Sequence, residues 1–158
     1  MADRRHEYRT RLVWSGAAQG PTLDYKSFSR EYVIKIAGKA PLKGSSDPTF
    51  RGDPALHNPE EMLVAALSAC HMLWYLHLCA VNGIAVHGYE DTAEGVMVDT
   101  PGSGHFTEVT LRPVVTVAKG ADVALAESLH EKAHAECFIA NSVNFPVRHD
   151  AQIRERDT

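Results

Sequence analysis

The chain has 158 residues, 44% of them hydrophobic, and a net charge of -4 at pH 7. This size and composition are ordinary for a soluble globular protein, and we predict a single domain over residues 1–158. The acidic balance, without a basic stripe, predicts no nucleic-acid partner. The N-terminal sequence MADRRHEYRTRL has no apolar signal-peptide core, so we expect a cytoplasmic protein.

The first third of the chain is predicted to contain two strands and a long loop. Apolar and polar side chains alternate in EYRTRLVW at residues 7–14 and again in FSREYVIKIA at residues 28–37. This alternation is typical of strands, and the Gly- and Pro-containing turn between them indicates a hairpin. Residues 38–57 are rich in Gly, Pro, Ser and Asp. We therefore expect a long loop there, and loops of this length are often functional.

A long helix is predicted by the most apolar stretch of the chain, HNPEEMLVAALSACHMLWYLHLCAVNG. Asn58 can accept a hydrogen bond at the N-cap, Pro59 suits the first helical position, and Glu61 can reach back to the cap. Gly83 can adopt the left-handed conformation that ends a helix. The helix is therefore expected from Pro59 to about Asn82, a length of roughly 36 Å.

This predicted helix is apolar on every side, so it has to be buried either in a bilayer or in a protein core. Ser68, His71 and His77 lie inside it, and no Lys or Arg cluster flanks it. Both observations disfavour a membrane span, and we predict that the chain does not bind a membrane. One sheet can cover only part of such a helix, so we expect an obligate homodimer that buries two of these helices together.

Two strands are predicted after the helix. They are IAVHGYEDTAEGVMV at residues 84–98 and FTEVTLRPVVTVA at residues 106–118. The Gly- and Pro-rich segment between them predicts a hairpin turn, which makes the pair antiparallel. Pro113 lacks a backbone N–H, so it predicts an edge position or a bulge for the second strand.

A second helix is predicted over residues 121–137. Asp122 lies near its start, and Cys137 falls on its apolar stripe, at the end of the helix. A last strand is expected around residues 145–153. The element order predicts an α+β fold in which antiparallel sheets surround a long central apolar helix.

The chain contains three cysteines, Cys70, Cys79 and Cys137. In a reducing cytoplasm they are expected to be thiols rather than a structural disulfide framework. No motif surrounds Cys79, which we interpret as a small buried hydrophobe. His71 follows Cys70 directly, but consecutive helical positions point about 100° apart. We therefore expect His71 to serve in packing or in a substrate pocket rather than as a base for Cys70.

Two segments resemble a known family, the OsmC/Ohr group of thiol-dependent organic hydroperoxide reductases. NPEEMLVAALSAC is similar to the helix motif of that family, and AHAEC followed by an Asn-Ser pair is similar to its second-cysteine segment. Cys70 and Cys137 lie 67 positions apart, as in the family, and the element order agrees. The resemblance implies an intertwined homodimer and a site that contains Glu60 and an arginine, for which Arg51 is the best positional match.

The same resemblance implies a two-cysteine peroxidase that needs no cofactor and no metal. Cys70 would attack an organic hydroperoxide and become a sulfenic acid. Cys137 would then resolve it to a disulfide, which an external dithiol of the dihydrolipoyl type would reduce.

A thiol in an apolar helix needs a nearby cation, because burial by itself raises the pKa of a cysteine. No Lys or Arg lies in the helix, so the charge has to come from elsewhere. Arg51 in the preceding loop is the nearest candidate, Arg30 is the alternative, and Glu60 could fix the arginine fork. Glu60 and Cys70 are ten residues apart, about 15 Å along the helix axis. Glu60 is therefore expected from the other subunit, unless the helix is kinked.

Two other functions are compatible with the sequence. His130, Glu131 and His134 form an HExxH motif on the second predicted helix, the spacing of a zinc-dependent hydrolase in which Glu131 would be the general base. Candidates for a third ligand are Cys137, His149 and Asp150. The same residues could instead be the exposed face of an amphipathic helix. A non-catalytic redox sensor, which is oxidised without turnover, is the second alternative.

Overall fold

Residues 3–157, which the computed structural model describes, form two helices and nine strands. The helices are α1 (Pro59–Val81) and α2 (Val123–Glu136). The strands are β1 (Arg11–Val13), β2 (Tyr32–Lys35), β3 (Leu42–Gly44), β4 (Val86–Asp91), β5 (Glu94–Thr100), β6 (Ser103–Leu111), β7 (Pro113–Val117), β8 (Val147–His149) and β9 (Gln152–Glu155). The chain divides into two compact units, one ending at Met62 and the other beginning at Leu63.

The first unit contains an antiparallel sheet in the order β1-β2-β3. Leu12 lies opposite Ile34, which confirms that the two predicted strands pair, although both are shorter than predicted and a 3-10 turn at Ser15–Gln19 lies between them. Strand β3 falls inside the predicted loop. It pairs with β2, and its Lys43 lies opposite Val33. A strand of three residues is too short to show an alternating pattern, which is why the sequence did not reveal it.

Helix α1 confirms the predicted helix to within one residue of its C-terminal end. The N–H of Glu61 donates to Oδ1 of Asn58 at 2.8 Å, and the N–H of Asn58 donates to Oε2 of Glu61 at 3.4 Å. This is the reciprocal capping box that the sequence predicts. At the other end Gly83 has a φ of 74°, and the N–H of Ile84 donates to the carbonyl of Cys79 at 2.9 Å. The helix therefore ends where left-handed backbone becomes necessary.

The second unit contains two sheets, in the orders β4-β7-β9 and β5-β6-β8. The pairs β4–β7 and β5–β6 are antiparallel, and the β5–β6 pair is the predicted hairpin. The two C-terminal strands differ from the prediction, because β8 pairs parallel with β6 and β9 pairs parallel with β7. The α+β fold is confirmed, but each of the two sheets in the second unit contains one antiparallel and one parallel pair of strands. The chain reaches β8 and β9 through α2, and a helical crossover is the usual route to a parallel partner.

Pro113 does not mark an edge strand or a bulge, so that prediction is wrong. Its strand, β7, is the middle strand of its sheet, and Pro113 is the first residue of that strand, where a missing N–H is tolerated. The predicted long strand breaks at Arg112, whose N–H donates to Oδ1 of Asp91 at 2.7 Å. The Asp91 side chain thus takes the place of a backbone hydrogen bond between strands at the break.

Helix α1 is covered on one face only. Its buried residues are Leu67, His71, Tyr75, Leu78 and Cys79. By length and composition α1 could cross a membrane, with a mean hydropathy of 1.6 in its most apolar window, but core helices share this property. Leu73 and Val81 are 63% and 65% exposed. An apolar face of α1 is therefore left without cover inside this chain.

We expect Asn58→Ala to lower the free energy of unfolding by about 1 kcal/mol, since α1 loses the acceptor for its first-turn N–H groups. Urea denaturation measures the change. Asn144→Ala is the matched control, because Asn144 is exposed and makes no side-chain hydrogen bond to any other residue in the range 3–157. Equal destabilisation by the two substitutions would contradict the capping role.

Candidate functional site

Two cysteine thiols from different helices meet in the second unit. Cys70 lies in the middle of α1, and Cys137 is the C-cap of α2. Their side chains lie close enough for Cys70 to raise the pKa of the Cys137 thiol, and every cysteine of the described chain is a free thiol. Cys70 is half-buried, whereas Cys137 is only 1% exposed. The pair therefore presents one thiol that solvent reaches and one that it does not.

The environment of Cys137 keeps its thiol protonated. Burial is the main reason that its pKa is raised to about 11, and the nearby Cys70 thiol raises it further. The N–H of Ala140 donates to Sγ of Cys137 at 3.4 Å and opposes part of this effect. At neutral pH Cys137 is thus a poor nucleophile, because the thiolate is the reactive form.

The segment after α2 is held by the Asn-Ser pair. The N–H of Asn141 donates to the carbonyl of Cys137 at 3.0 Å, and its side-chain amide donates to the carbonyl of Ala135 at 2.9 Å. The hydroxyl of Ser142 donates to the carbonyl of Phe138 at 2.7 Å. These bonds satisfy carbonyls at the end of α2 that have no partner inside the helix. The pair therefore fixes the backbone that carries Cys137.

Each of these two cysteines is followed in the sequence by an aromatic residue. Trp74 follows Cys70 by one helical turn, and Phe138 follows Cys137 directly. The two rings meet edge to face, with centroids 5.3 Å apart. Beside them Leu73, Trp74 and His77 line a groove of about 290 Å³. The groove is mainly apolar, so it suits an apolar group better than a charged one.

Arg51 and Arg30 both line one pocket of about 280 Å³ in the first unit. The other residues of its lining are Gln19, Ser29, Glu31, Ser45, Gly52 and Asp53. Arg51 has a φ of 67°, the only positive value among non-glycine residues of the described chain. Strained backbone of this kind is retained only where the surroundings enforce it. At Gly52 a Cβ atom would lie 1.5 Å from the carbonyl oxygen of Ser46, so only glycine fits there.

The two arginines differ in how they are held. The guanidinium of Arg30 donates to the carbonyls of Phe28 and Tyr25, and its Cζ lies 3.6 Å from the centre of the Phe28 ring. Arg51 makes no ion pair and no side-chain hydrogen bond within residues 3–157. Arg51 is therefore the arginine whose forked donors are available to another group.

Glu60 lies in the same unit as the two arginines. No ion pair of the described residues joins it to an arginine. Its Oε2 and the hydroxyl of Tyr32 are buried, and in the described part of the chain neither has a hydrogen-bond partner. The pKa of Tyr32 is raised, mainly by burial and also by the charge of Glu60. The first unit thus carries Arg51 and Glu60, and the second carries the two cysteines.

The HExxH motif contributes to a cluster of histidines in the second unit. His130 is buried, and its Nδ1 lies 2.9 Å from Nε2 of His71. The ring of His149 has its centroid 5.5 Å from that of His71 and 5.9 Å from those of His130 and His134. Glu131 is 80% exposed and reaches Nε2 of His149 at 3.3 Å. The sequence did not reveal this cluster, because its members come from α1, α2 and β8.

This arrangement counts against the zinc-hydrolase alternative. Among residues 3–157 no three His, Cys, Asp or Glu side chains are placed to hold a metal ion. The two nitrogens that His71 and His130 direct at each other are already joined by a hydrogen bond. His130 is also not on an exposed helix face, as the second interpretation of the motif required.

An α+β fold that brings two thiols together defines a dithiol protein, and comparison with known proteins identifies its family. Residues 52–151 match the model of the OsmC-like protein family. The chain therefore belongs to the OsmC-like family, which indicates a function in peroxide or redox chemistry.

Individual relatives agree with this assignment. A solved OsmC-like protein of unknown function from Vibrio cholerae is 31% identical, with a TM-score of 0.83, over 93% of this chain and 99% of that one. The uncharacterised protein YmaD of Bacillus subtilis is 28% identical over 102 residues, which are 61% of this chain and 68% of that protein. An organic hydroperoxide resistance protein from Elizabethkingia anophelis shares the fold, with 18% identity and a TM-score of 0.66 over 97% of this chain and 100% of that one.

The buried histidines predict that acid destabilises the protein. Burial is the main reason that the pKa of His71 is lowered to about 4 and that of His130 to about 3; nearby histidines lower both further. In the unfolded chain a histidine has a pKa of about 6.5. The unfolded state therefore binds more protons below that pH. Stability is complete above pH 6.5 and falls as the pH approaches 4, by on the order of 3 kcal/mol for the first ring that must be protonated.

Urea denaturation between pH 7.5 and 4.5 measures this dependence. The control is the double variant His71→Gln, His130→Asn, in which amides replace the two bonded ring nitrogens. We expect it to be less stable at pH 7.5 but to lose less stability on acidification. Equal losses in the two proteins would contradict the assignment.

Proposed function

We propose that the protein is a thiol-dependent peroxidase that reduces organic hydroperoxides to alcohols. The observation that carries the proposal is that the half-buried Cys70 lies close to the buried thiol of Cys137. A peroxide can reach the first thiol, and the second lies where it can attack the product of the first reaction. A single buried cysteine would have neither property.

The reaction proceeds in three steps. The thiolate of Cys70 attacks one oxygen of the O–O bond, which forms a sulfenic acid and releases an alkoxide that takes up a proton to become the alcohol. The thiol of Cys137 then condenses with the sulfenic acid, which forms the disulfide and releases water. An external dithiol of the dihydrolipoyl type reduces the disulfide by thiol–disulfide exchange and is itself oxidised to a disulfide.

Arg51 and Glu60 are proposed to complete the site from a second subunit. The N-terminal turn of α1 carries Glu60 ten residues before Cys70, about 15 Å away along a helix axis. The guanidinium of Arg51 has unused donors, and the buried Oε2 of Glu60 has no partner among the described residues. An arginine held by a carboxylate would favour the Cys70 thiolate and orient a peroxide oxygen.

The substrate class is supported by the names of structural relatives. The relatives from Elizabethkingia anophelis and Legionella pneumophila are described as organic hydroperoxide resistance proteins. In this chain the apolar groove at Leu73, Trp74 and His77 would take the organic group of such a peroxide. Leu73 and His77 also belong to the face proposed below for the second subunit, so in the dimer this groove would lie at the subunit interface. The peroxides proposed are therefore those with an apolar substituent rather than hydrogen peroxide.

Peroxide consumption and thiol loss test the proposal together. We expect one equivalent of cumene hydroperoxide to remove two thiols and to yield a Cys70–Cys137 bridge in peptide mass mapping, with turnover in dihydrolipoamide. Cys70→Ser abolishes the reaction. Cys137→Ser forms no bridge and turns over at least tenfold more slowly, since no resolving thiol is present. Cys79→Ser is the matched control and keeps full turnover.

An unchanged thiol count after peroxide treatment would overturn the peroxidase proposal. A bridge that forms but is not turned over by any dithiol would replace it with the redox-sensor alternative.

A homodimer is proposed because one face of α1 is apolar and uncovered. The exposed residues of α1 include Ala65, Ala66, Ala69, Leu73, His77, Ala80 and Val81. Small residues at helical spacing let two helices approach closely. A second copy of α1 would remove this face from water, which the hydrophobic effect favours by about 25 cal/mol for each Å² of apolar surface.

Leu73→Glu is expected to convert the dimer to a monomer or an aggregate, because it buries a charge in the interface. Size-exclusion chromatography with light scattering measures the mass. Leu23→Glu, at an exposed leucine of the first unit, is the control and leaves the mass unchanged. A wild-type protein that runs as a monomer at micromolar concentration would contradict the dimer.

A further inference from the structure

A joint of neutral histidines lies between the two helices that carry the cysteines. Nε2 of His71 on α1 lies 2.9 Å from Nδ1 of His130 on α2, and both side chains are only 1% exposed. Their ring centroids are 5.3 Å apart and the rings are within 6° of parallel. Two ring nitrogens at this distance share one proton, so the bond requires at least one of the two rings to be neutral. Burial lowers the pKa of both rings, which keeps both neutral at pH 7.5.

Tyr75 adds to the same joint from α1. Its ring stacks on His130, with centroids 3.8 Å apart, and its hydroxyl donates to the carbonyl of Ala126 at 3.1 Å. His149 of β8 lies against the same pair, 5.5 Å from His71 and 5.9 Å from His130 between ring centroids. The polar contacts of the joint are directional, whereas the surrounding aliphatic contacts are not. The joint therefore fixes how α2 is rotated and shifted against α1.

Each half of the joint is coupled to one thiol by the chain itself. His71 directly follows Cys70 on α1. His130 precedes Cys137 by seven positions, which is about two helical turns and places both on the same face of α2. The N–H of Cys137 also donates to the carbonyl of His134 at 3.2 Å. A small shift of α2 at the joint would thus change the distance between the two sulfur atoms.

We infer that His71 and His130 are positioning residues which hold the resolving thiol of Cys137 against Cys70 and so set the effective concentration of one thiol at the other. The inference rests on the proposed function for its biological meaning. Its chemistry is tested without peroxide, because the two thiols can be equilibrated with glutathione. In that exchange the protein dithiol is oxidised to its disulfide while oxidised glutathione is reduced to two molecules of glutathione.

The experiment measures the dithiol–disulfide equilibrium constant of the full chain in glutathione buffers at pH 7.5. We expect His130→Leu, which removes the hydrogen bond between His71 and His130, to lower the equilibrium constant at least tenfold. His130→Asn places an amide where the bonded Nδ1 lies and is expected to stay within threefold of the wild type. The same comparison is made at the other position with His71→Leu and His71→Gln. The glutamine amide reaches the place of Nε2, so the same two results are expected.

Tyr75→Phe is the matched control. It removes a hydrogen bond between the same two helices, from Tyr75 to Ala126, but leaves the histidine bond in place. We expect it to lower the melting temperature while the equilibrium constant stays within threefold of the wild type. A merely structural role for the histidines would instead make the constant follow the melting temperature in all variants.

Three results would overturn the inference. They are an unchanged constant in both leucine variants, equal effects of the leucine and amide variants, and a tenfold effect of Tyr75→Phe. If a leucine variant does not fold, the amide variants and the Tyr75→Phe control still decide between the two roles. A protein that forms the glutathione-equilibrated disulfide but does not reduce peroxide would refute the proposed function and leave the positioning role intact.

Discussion

The burial of one long apolar helix is the constraint on which the rest of this structure depends. Helix α1 is 23 residues long and carries no Lys or Arg, so the exposure of most of its surface to water is unfavourable. The sheets and α2 of the second unit cover the face that holds Leu67, Tyr75 and Leu78. The opposite face, with Leu73, is left open. The proposed assembly with a second copy would cover this face, and it would also bring a cation and a carboxylate to a helix that has no cation of its own.

Polar groups inside such a helix need partners from elsewhere, and this requirement organises the second unit. Ser68 donates to the carboxylate of Asp91, whose other oxygen accepts the N–H of Arg112. His71 is bonded to His130. Each bond satisfies a buried group that would otherwise destabilise the fold. Two of the polar residues that argued against a membrane span, Ser68 and His71, thus hold α1 to its neighbours.

Local signals were predicted well because they depend on residues close in sequence. The capping box of Asn58 and Glu61, the end of α1 at Gly83 and the start of α2 near Asp122 all confirm their predictions. The pairing of strands was predicted less completely. Strand β3 is too short for a pattern, and the parallel pairing of β8 and β9 depends on where α2 delivers the chain. Pro113 was misread because a proline at the first position of a strand fits a central strand as well as an edge.

By itself the sequence determined the ends of the helices, the α+β class and the family, since these follow from local chemistry and from motifs. Only the tertiary structure decided that the thiols of Cys70 and Cys137 lie close together, that Cys137 is the buried one, and that the HExxH histidines join a cluster with His71 instead of forming a metal site. The physical reason is that the Cys70–Cys137 and His71–His130 pairs join residues 67 and 59 positions apart. Their distance depends on how whole elements pack, and no local pattern encodes that packing.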